Sequence, residues 1–378
     1  MQKLKVAFVE TNCKKNGPIK QTLYIIQYMN REVFDPVLVT IWPEEEDNSM
    51  INEYKELNIP VFTANISKVK SIYEGKRVVN NILKDIKPDI VHSVGMPLYR
   101  MTLGYNDTIH LLTLRNYCYE DYPDYYGKII GILMAYFDIK LIRRKMLLGE
   151  RFVTCSKSLS KVYKDRQHLD IEYIRNGVDV DKYSRDETNY INIRERLKLP
   201  INKIIFIYSG NFIDRKNQKE AIKAFIKMKK RKDSILLLLG DGKDFDTIRS
   251  EFECNDDILF RGKVSNVNEY LNASDIYLST SKSEGLPNGV LEAMACRLPL
   301  LLSDISQHIE VIEAAPKAGY TYKLGNVSEL TYLMDQIVNE DLNNIGNEGY
   351  KAVMDNFTAS KMSKKYQDLY INIYQNES

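Results

Sequence analysis

The sequence predicts an α/β protein built on two doubly wound, parallel sheets, and three observations carry that prediction. Thirteen short apolar, β-branched runs recur along the 378 residues. Segments of helix length with polar patterning separate them. A polar, turn-rich break, NGVDVDKYSRDETN from Asn176, divides the runs into seven and six. Runs this apolar suit strands covered on both faces. Their alternation with helices builds βα units.

In the first half the runs are LKVAFVE from Leu4, PVLVTIW from Pro36, PVFTA from Pro60, DIVHSVG from Asp89, IHLLTLRN from Ile109, RFVTCS from Arg151 and EYIRNG from Glu172. In the second they are KIIFIYSG from Lys203, SILLLLGDG from Ser234, DILFRG from Asp257, DIYLSTS from Asp275, PLLLSD from Pro299 and GYTYKL from Gly319. Thirteen strands are many for one sheet, so two Rossmann-like domains are expected, at 1–180 and 181–357. A last helix, 358–378, carries Met362, Tyr366, Leu369, Tyr370 and Ile373 at helical spacing. That single apolar stripe predicts a helix packed back onto the first domain. Ligands of such sheets bind beyond the carboxyl ends of the strands, and the cleft between two facing sheets is the expected site.

Composition narrows the function. A net charge of +2 excludes a dedicated nucleic-acid binder. The five cysteines are scattered without a CxxC pair, which removes zinc-ribbon and thioredoxin-like readings. Cys155 and Cys296 lie in apolar surroundings and read as buried thiols of a reducing compartment. MQKLKVAFVET enters a strand pattern at once, without a cleavage region. The longest apolar run, Ile129 to Phe137, is too short to span a bilayer. A cytoplasmic protein is expected, with a peripheral contact on the inner face of the membrane as one reading of the cluster Lys140, Arg143, Arg144 and Lys145. The other reading of that segment is a buried helix with a basic end.

Two loops carry the chemistry. In SEGLPNGVLEAMA, from Ser283, two carboxylates stand eight positions apart, Glu284 closing a strand and Glu292 early in the next helix. The turn between them is Gly285, Leu286, Pro287, Asn288 and Gly289. It reads either as ordinary helix-start chemistry or as a cradle for a phosphate with two acids for sugar hydroxyls. In YSGNFIDRKNQKEAIKAF, Arg215 and Lys216 stand where strand turns to helix. Cations there oppose the helix dipole, so an anion that pairs with both is expected, against the alternative of a solvated basic turn. Weaker candidates fall away. The DVD at Asp179 and DFD at Asp244 read as structural, GDGK at Gly240 as a turn, and His110, His168 and His308 lack metal spacing. No metal site is expected. His92, at a strand end, is a candidate for an acceptor pocket.

These residues resemble the family 4 retaining glycosyltransferases of the glycogen-synthase-like superfamily, of polysaccharide-assembly type. The resemblance rests on Glu284 and Glu292 as an E-x7-E element. It rests also on Gly210, Arg215, Lys216 and Asn217 as G-x4-R-K-N, and on SKSLSKVY from Ser156, IRNGVDVDKY from Ile174 and NYCYEDYPDYYGKIIGILM from Asn116. It is strong over 203–312 and diffuse over 1–110. It implies the GT-B fold, two Rossmann-like domains facing across a cleft. It implies a metal-independent transfer from a nucleotide-sugar, UDP-sugar favoured, to a growing surface polysaccharide or its lipid-linked precursor, with no other cofactor. By resemblance Glu292 binds the ribose and Glu284 the transferred sugar, while Lys216 with Arg215 binds the diphosphate. Gly210 and the backbone of 285–289 complete the cradle, the backbone of Lys263 and Val264 meets the base, and Gly17 belongs to an N-terminal glycine loop. Two departures stand out. Asn211 occupies a position often arginine, and Arg115 one often histidine. Arg115 then needs an anion: Glu120 or Asp121 nearby, or a substrate anion such as the donor diphosphate. The rival readings are a nucleotide-sugar epimerase on the same fold, which needs further acid and base residues, and an inactive partner subunit.

Overall fold

A computed structural model describes residues 3–185 and 189–377. The chain divides into two compact units, 1–177 with 359–378, and 178–358. The division falls at Gly177, where the sequence analysis places it at 180. The first unit holds a seven-stranded sheet: β1 (Leu4–Glu10), β2 (Phe34–Thr40), β3 (Val61–Thr63), β4 (Ile90–Val94), β5 (Ile109–Leu114), β6 (Arg151–Thr154) and β7 (Glu172–Tyr173). The second holds six: β8 (Ile204–Ser209), β9 (Ser234–Leu239), β10 (Ile258–Gly262), β11 (Ile276–Ser279), β12 (Leu300–Ser303) and β13 (Gly319–Tyr322). Every quoted run contributes its strand, and all pairings between named strands are parallel.

The strand orders are β3-β2-β1-β4-β5-β6-β7 and β10-β9-β8-β11-β12-β13. In each sheet the chain steps outward from its first strand and then crosses back to the other side of it. The switch points lie between β1 and β4 and between β8 and β11, where strand ends splay and ligands of doubly wound sheets bind. Pro36 sits inside β2 without harm. Leu38 N–H points to β3, bonding the Pro60 carbonyl. Two residues earlier Pro36 faces the same side, before β3 has begun. Helices start where the sequence offers caps. Asn16 accepts from the Ile19 amide, and Ser156, opening SKSLSKVY, accepts from Leu159.

The helix Ala359–Glu377 returns to the first unit. Met362, Tyr366, Tyr370 and Ile373 join the core formed by β1, β4 and β5. Tyr370 Oη lies 2.7 Å from His92 Nδ1, and Thr113 Oγ1 lies 2.7 Å from His92 Nε2 and 3.0 Å from Tyr366 Oη. His92 is therefore not a pocket residue. It is fully buried and ties the last helix to β4 and β5. Burial, then the Arg115 charge, takes its pKa down to about 3. A buried neutral histidine stabilises the fold above its ordinary pKa near 6.5. That contribution is lost as pH falls toward 3, because the unfolded chain then binds the extra proton. The stability deficit of His92→Leu is accordingly largest at pH 7 and shrinks at pH 4 in urea unfolding. A deficit independent of pH contradicts this assignment.

Candidate active site

The second unit's switch point is built from two loops. After β8 the chain passes Gly210 and makes a 3₁₀ turn, Asp214–Lys216. Asn217 then takes a left-handed conformation (φ 54°) before the helix Gln218–Ile226. After β11 it runs irregularly to the helix Asn288–Ala295. The strand thus ends at Ser279, not at Glu284. β12 offers partners only to Ser279, and the following residues turn away into the site. Asn288 and Gly289 are likewise the first turn of the helix rather than loop, and Glu292 lies one turn in.

Glu284 is the anion that Lys216 and Arg215 require. Lys216 Nζ lies 2.5 Å from Glu284 Oε1, and Arg215 Nη1 lies 3.4 Å from Oε2. Arg215 Nη1 also donates to the Ser283 carbonyl at 2.7 Å, and the Lys282 amide donates to the Arg215 carbonyl at 2.8 Å. The two loops are thereby clasped across 68 residues of sequence. The Glu284 side chain is only 7% exposed. Burial alone pushes its pKa up, but the Lys216 and Arg215 charges, with hydrogen bonds from Lys216 and Ser281, outweigh burial and bring it down to about 2.

A floor of buried hydroxyls supports this cluster. Tyr208 Oη donates to the Lys216 carbonyl at 2.6 Å and lies 3.2 Å from Ser281 Oγ. Thr280 Oγ1 donates to the Asn217 carbonyl at 2.8 Å, and Ser303 Oγ to the Ser281 carbonyl at 2.6 Å. His308, set aside on sequence, completes the floor. Its Nδ1 lies 2.9 Å from the Ser303 carbonyl and 3.0 Å from Ser303 Oγ. Burial takes its pKa down to about 4, with Glu284 and Lys216 both within its field. A single sequence signal pointed this way: a histidine five residues past an apolar strand end.

Two glycines are required by close approach. Gly240 (φ 130°) would place a Cβ 1.9 Å from the Gly210 carbonyl oxygen. The turn read in GDGK is therefore what lets β9 support the Gly210 loop. Phe212 N–H reinforces the contact, bonding the Asp241 carbonyl at 2.9 Å. Gly289 would place a Cβ 2.4 Å from Tyr277 Oη, so its helix start rests directly on β11. Glu292, buried in that helix, hydrogen-bonds the Tyr183 hydroxyl. Tyr183 closes the IRNGVDVDKY stretch and was not singled out on sequence. Asp179, the first acid of DVD, accepts from the Asp181 and Lys182 amides as a turn cap. Lys263 and Val264 follow β10, two strands from β8. Among the described residues no group of three or more His, Cys, Asp or Glu side chains is placed to hold a metal ion.

The other candidates belong to the first unit. Gly17 opens the helix Gly17–Gln27 rather than lying in a loop. Arg115 follows β5, and its Nη1 donates to Asn176 Oδ1 at 2.6 Å. Neither nearby acid is its partner: Glu120 pairs with Arg166 at 2.7 Å, and Asp121 accepts from Asn116 at 3.1 Å. Glu10, at the end of β1, lies within the field of the Arg115 charge. Burial raises the Glu10 pKa to about 7 against a Thr22 hydrogen bond and the Arg115 charge. Glu10 escaped the sequence reading because it looks like the polar end of a buried strand.

The arrangement in the second unit presents two cations and an ionised carboxylate at a switch point, with a second buried acid behind a helix start. A sequence-family model described as "Glycosyl transferases group 1" matches residues 189–352. An N-acetyl-alpha-D-glucosaminyl L-malate synthase of Bacillus anthracis is 30% identical over 221 residues, 56% of this chain and 56% of that protein. The chain thus spans little over half of that relative. A UDP-Gal:alpha-D-GlcNAc-diphosphoundecaprenol alpha-1,3-galactosyltransferase of Escherichia coli is 24% identical over 99% of this chain and 98% of its own. The crystal structure of Anabaena HepE with UDP and glucose superposes with a TM-score of 0.79 at 14% identity, covering 98% of this chain and all of that one.

Proposed function

We propose that this chain, GT-B in fold and similar to the group 1 glycosyltransferases, carries out a retaining transfer of a sugar from a UDP-sugar to a lipid-linked or growing surface polysaccharide. The observation that carries the reading is the Lys216–Arg215–Glu284 cluster at the β8/β11 switch point. A nucleotide-sugar offers both chemistries the cluster suits, a diphosphate for the cations and hydroxyls for the acids. Lys216 and Arg215 stabilise the departing diphosphate by position and charge, which is the electrostatic route to transition-state stabilisation. Glu284, kept ionised, accepts from the hydroxyls of the transferred sugar. Glu292, steadied by Tyr183, accepts from the ribose. The backbone of 285–289 and of Gly210 lines the phosphates, and Lys263 and Val264 meet the base. In the first unit Arg115, just past β5, and Gly17, at the start of its helix, serve the substrates. UDP is favoured by the E. coli relative, whose name specifies UDP-Gal and a diphosphoundecaprenol-linked acceptor, and by the UDP held in HepE. No metal takes part in this scheme, so turnover persists in a chelator.

Thermal stabilisation by a panel of UDP- and GDP-sugars identifies the donor, because a ligand bound only by the folded state raises its stability. The division of labour is tested by titration. Glu292→Ala weakens UDP and UDP-sugar alike, by about tenfold for a lost hydrogen bond to a charged group. Glu284→Gln weakens the UDP-sugar more than UDP. Equal losses of both ligands in both variants reject the assignment. The anomeric configuration of the product, read by NMR, tests retention.

A further inference from the structure

The helix Lys128–Leu147 is apolar on two sides but buried on only one. Gly131, Ala135, Ile139 and Ile142 face the protein. The opposite side carries Ile129, Ile130, Leu133 and Phe137, between 53% and 77% exposed. Residues 129, 133 and 137 recur at four-residue spacing and so form one continuous ridge. Single exposed apolar residues are ordinary, but a contiguous ridge of four is not. A helix apolar all round is normally covered all round.

We propose that this ridge is a membrane-docking surface which inserts into the headgroup–acyl boundary of an anionic bilayer, the basic turns that follow it lying on the headgroups. Charge selects this occupant. The sole acid of the segment, Asp138, is turned inward to Arg100 at 2.8 Å and Tyr122 at 2.7 Å. Lys128 precedes the ridge, and Lys140, Arg143 and Arg144 follow it. A second copy docked on the same ridge would bring like charges together, whereas anionic headgroups neutralise them. Tyr136, with Lys140 Nζ 4.5 Å above its ring, adds an amphipathic group of the kind that favours an interface.

The insertion differs from attraction through the basic residues alone. Lys145 is paired with Glu150 at 2.5 Å, and Arg143 donates to the Gln167 carbonyl at 2.8 Å. Fewer charges are therefore available to lipid than the sequence counts, and the apolar ridge supplies much of the affinity.

The test is flotation of the full chain with vesicles of phosphatidylglycerol and phosphatidylethanolamine at low and high salt. The unaltered chain floats at low salt and retains a measurable fraction at high salt. Leu133→Glu and Phe137→Glu each lower vesicle affinity by about 10- to 100-fold, the scale for one large apolar side chain no longer buried. Their circular dichroism and melting temperature stay unchanged, since both positions are exposed. Arg144→Glu lowers binding chiefly at low salt. The proposal is overturned if the unaltered chain fails to float, or if salt releases it completely and the ridge variants bind as it does. It is also overturned if the chain sediments as a dimer that Leu133→Glu dissociates.

Discussion

Replacing Lys216 by alanine is expected to lower kcat by about 10²–10³, the scale for deleting one preorganised charge-stabilising group. Folding is affected as well. Removing one partner of a buried ion pair costs about 3–5 kcal/mol when the other is left alone. Here Arg215 remains 3.4 Å from Glu284 and the lysine side chain is 20% exposed, so about 1–2 kcal/mol is expected instead. The deficit depends on pH with a definite sign. Glu284 has its pKa lowered from 4.5 to about 2 in the folded chain. The stability this contributes is present above pH 4.5 and lost as pH falls toward 2. The variant lacks most of it, so its deficit narrows in acid. A double variant, Lys216→Met with Glu284→Leu, replaces the pair by apolar groups of similar size. It should regain stability without regaining activity, because apolar isosteres often match buried ion pairs in stability. A single variant with near-normal kcat removes Lys216 from the mechanism.

Arg194→Ala is expected to unfold the second unit, at a cost of about 3–5 kcal/mol. Arg194 is almost completely buried, and its guanidinium spends every nitrogen on a different constraint. Nε donates to the Ala273 carbonyl at 2.9 Å. Nη1 reaches the carbonyls of Pro200, Ile201 and Lys203 at 3.1, 2.9 and 2.8 Å. Nη2 meets Asp275 Oδ2 at 2.7 Å. Asp275 in turn accepts from the Ile205 amide at 2.7 Å and the Tyr190 hydroxyl at 2.8 Å. The cluster joins the amino-terminal ends of β8 and β11, the same two strands whose carboxyl ends carry the active-site loops. Arg194→Lys should fare little better, because a point ammonium cannot fill a planar fork. Urea unfolding followed by tyrosine emission and circular dichroism measures the loss. A melting temperature within a few degrees of the parent would show that the carbonyls find other donors.

The central strands were legible because they are covered on both faces and so must be nearly all apolar, whereas the edge strands β3 and β7 are short and largely exposed. The loops at the second switch point were legible because their charges sit where a helix start disfavours or favours them. What escaped shares one cause, a partner remote in the chain. His92 looked available for a pocket until Tyr370, 278 residues away, occupied its Nδ1. Of the two partners open to Arg115, a nearby acid or a substrate anion, neither Glu120 nor Asp121 takes it, and Asn176, 61 residues away, accepts its hydrogen bond. Arg194, within INIRERL, has the charge pattern of a solvated helix, and only β11 beside it reveals burial. The helix Lys128–Leu147 failed in the opposite sense. Its periodicity is erased because its outer face is as apolar as its inner one, so the sequence could not separate a buried helix from a lipid-facing one.

The first unit is made of two stretches with the whole of the second unit between them. Synthesis therefore runs out of step with assembly. When Gly177 leaves the ribosome, β1 to β7 are complete, yet the groove for Tyr366 and Tyr370 stands open over Phe8 and His92. The next 181 residues form a contiguous unit that needs nothing made later. At ~5–20 residues per second they occupy the ribosome for roughly 10–35 s. Through that interval the older half of the chain carries an uncovered apolar groove, a natural target for a holding chaperone, while the younger half can already be closed. Nascent chains of this protein thus finish their second unit before their first.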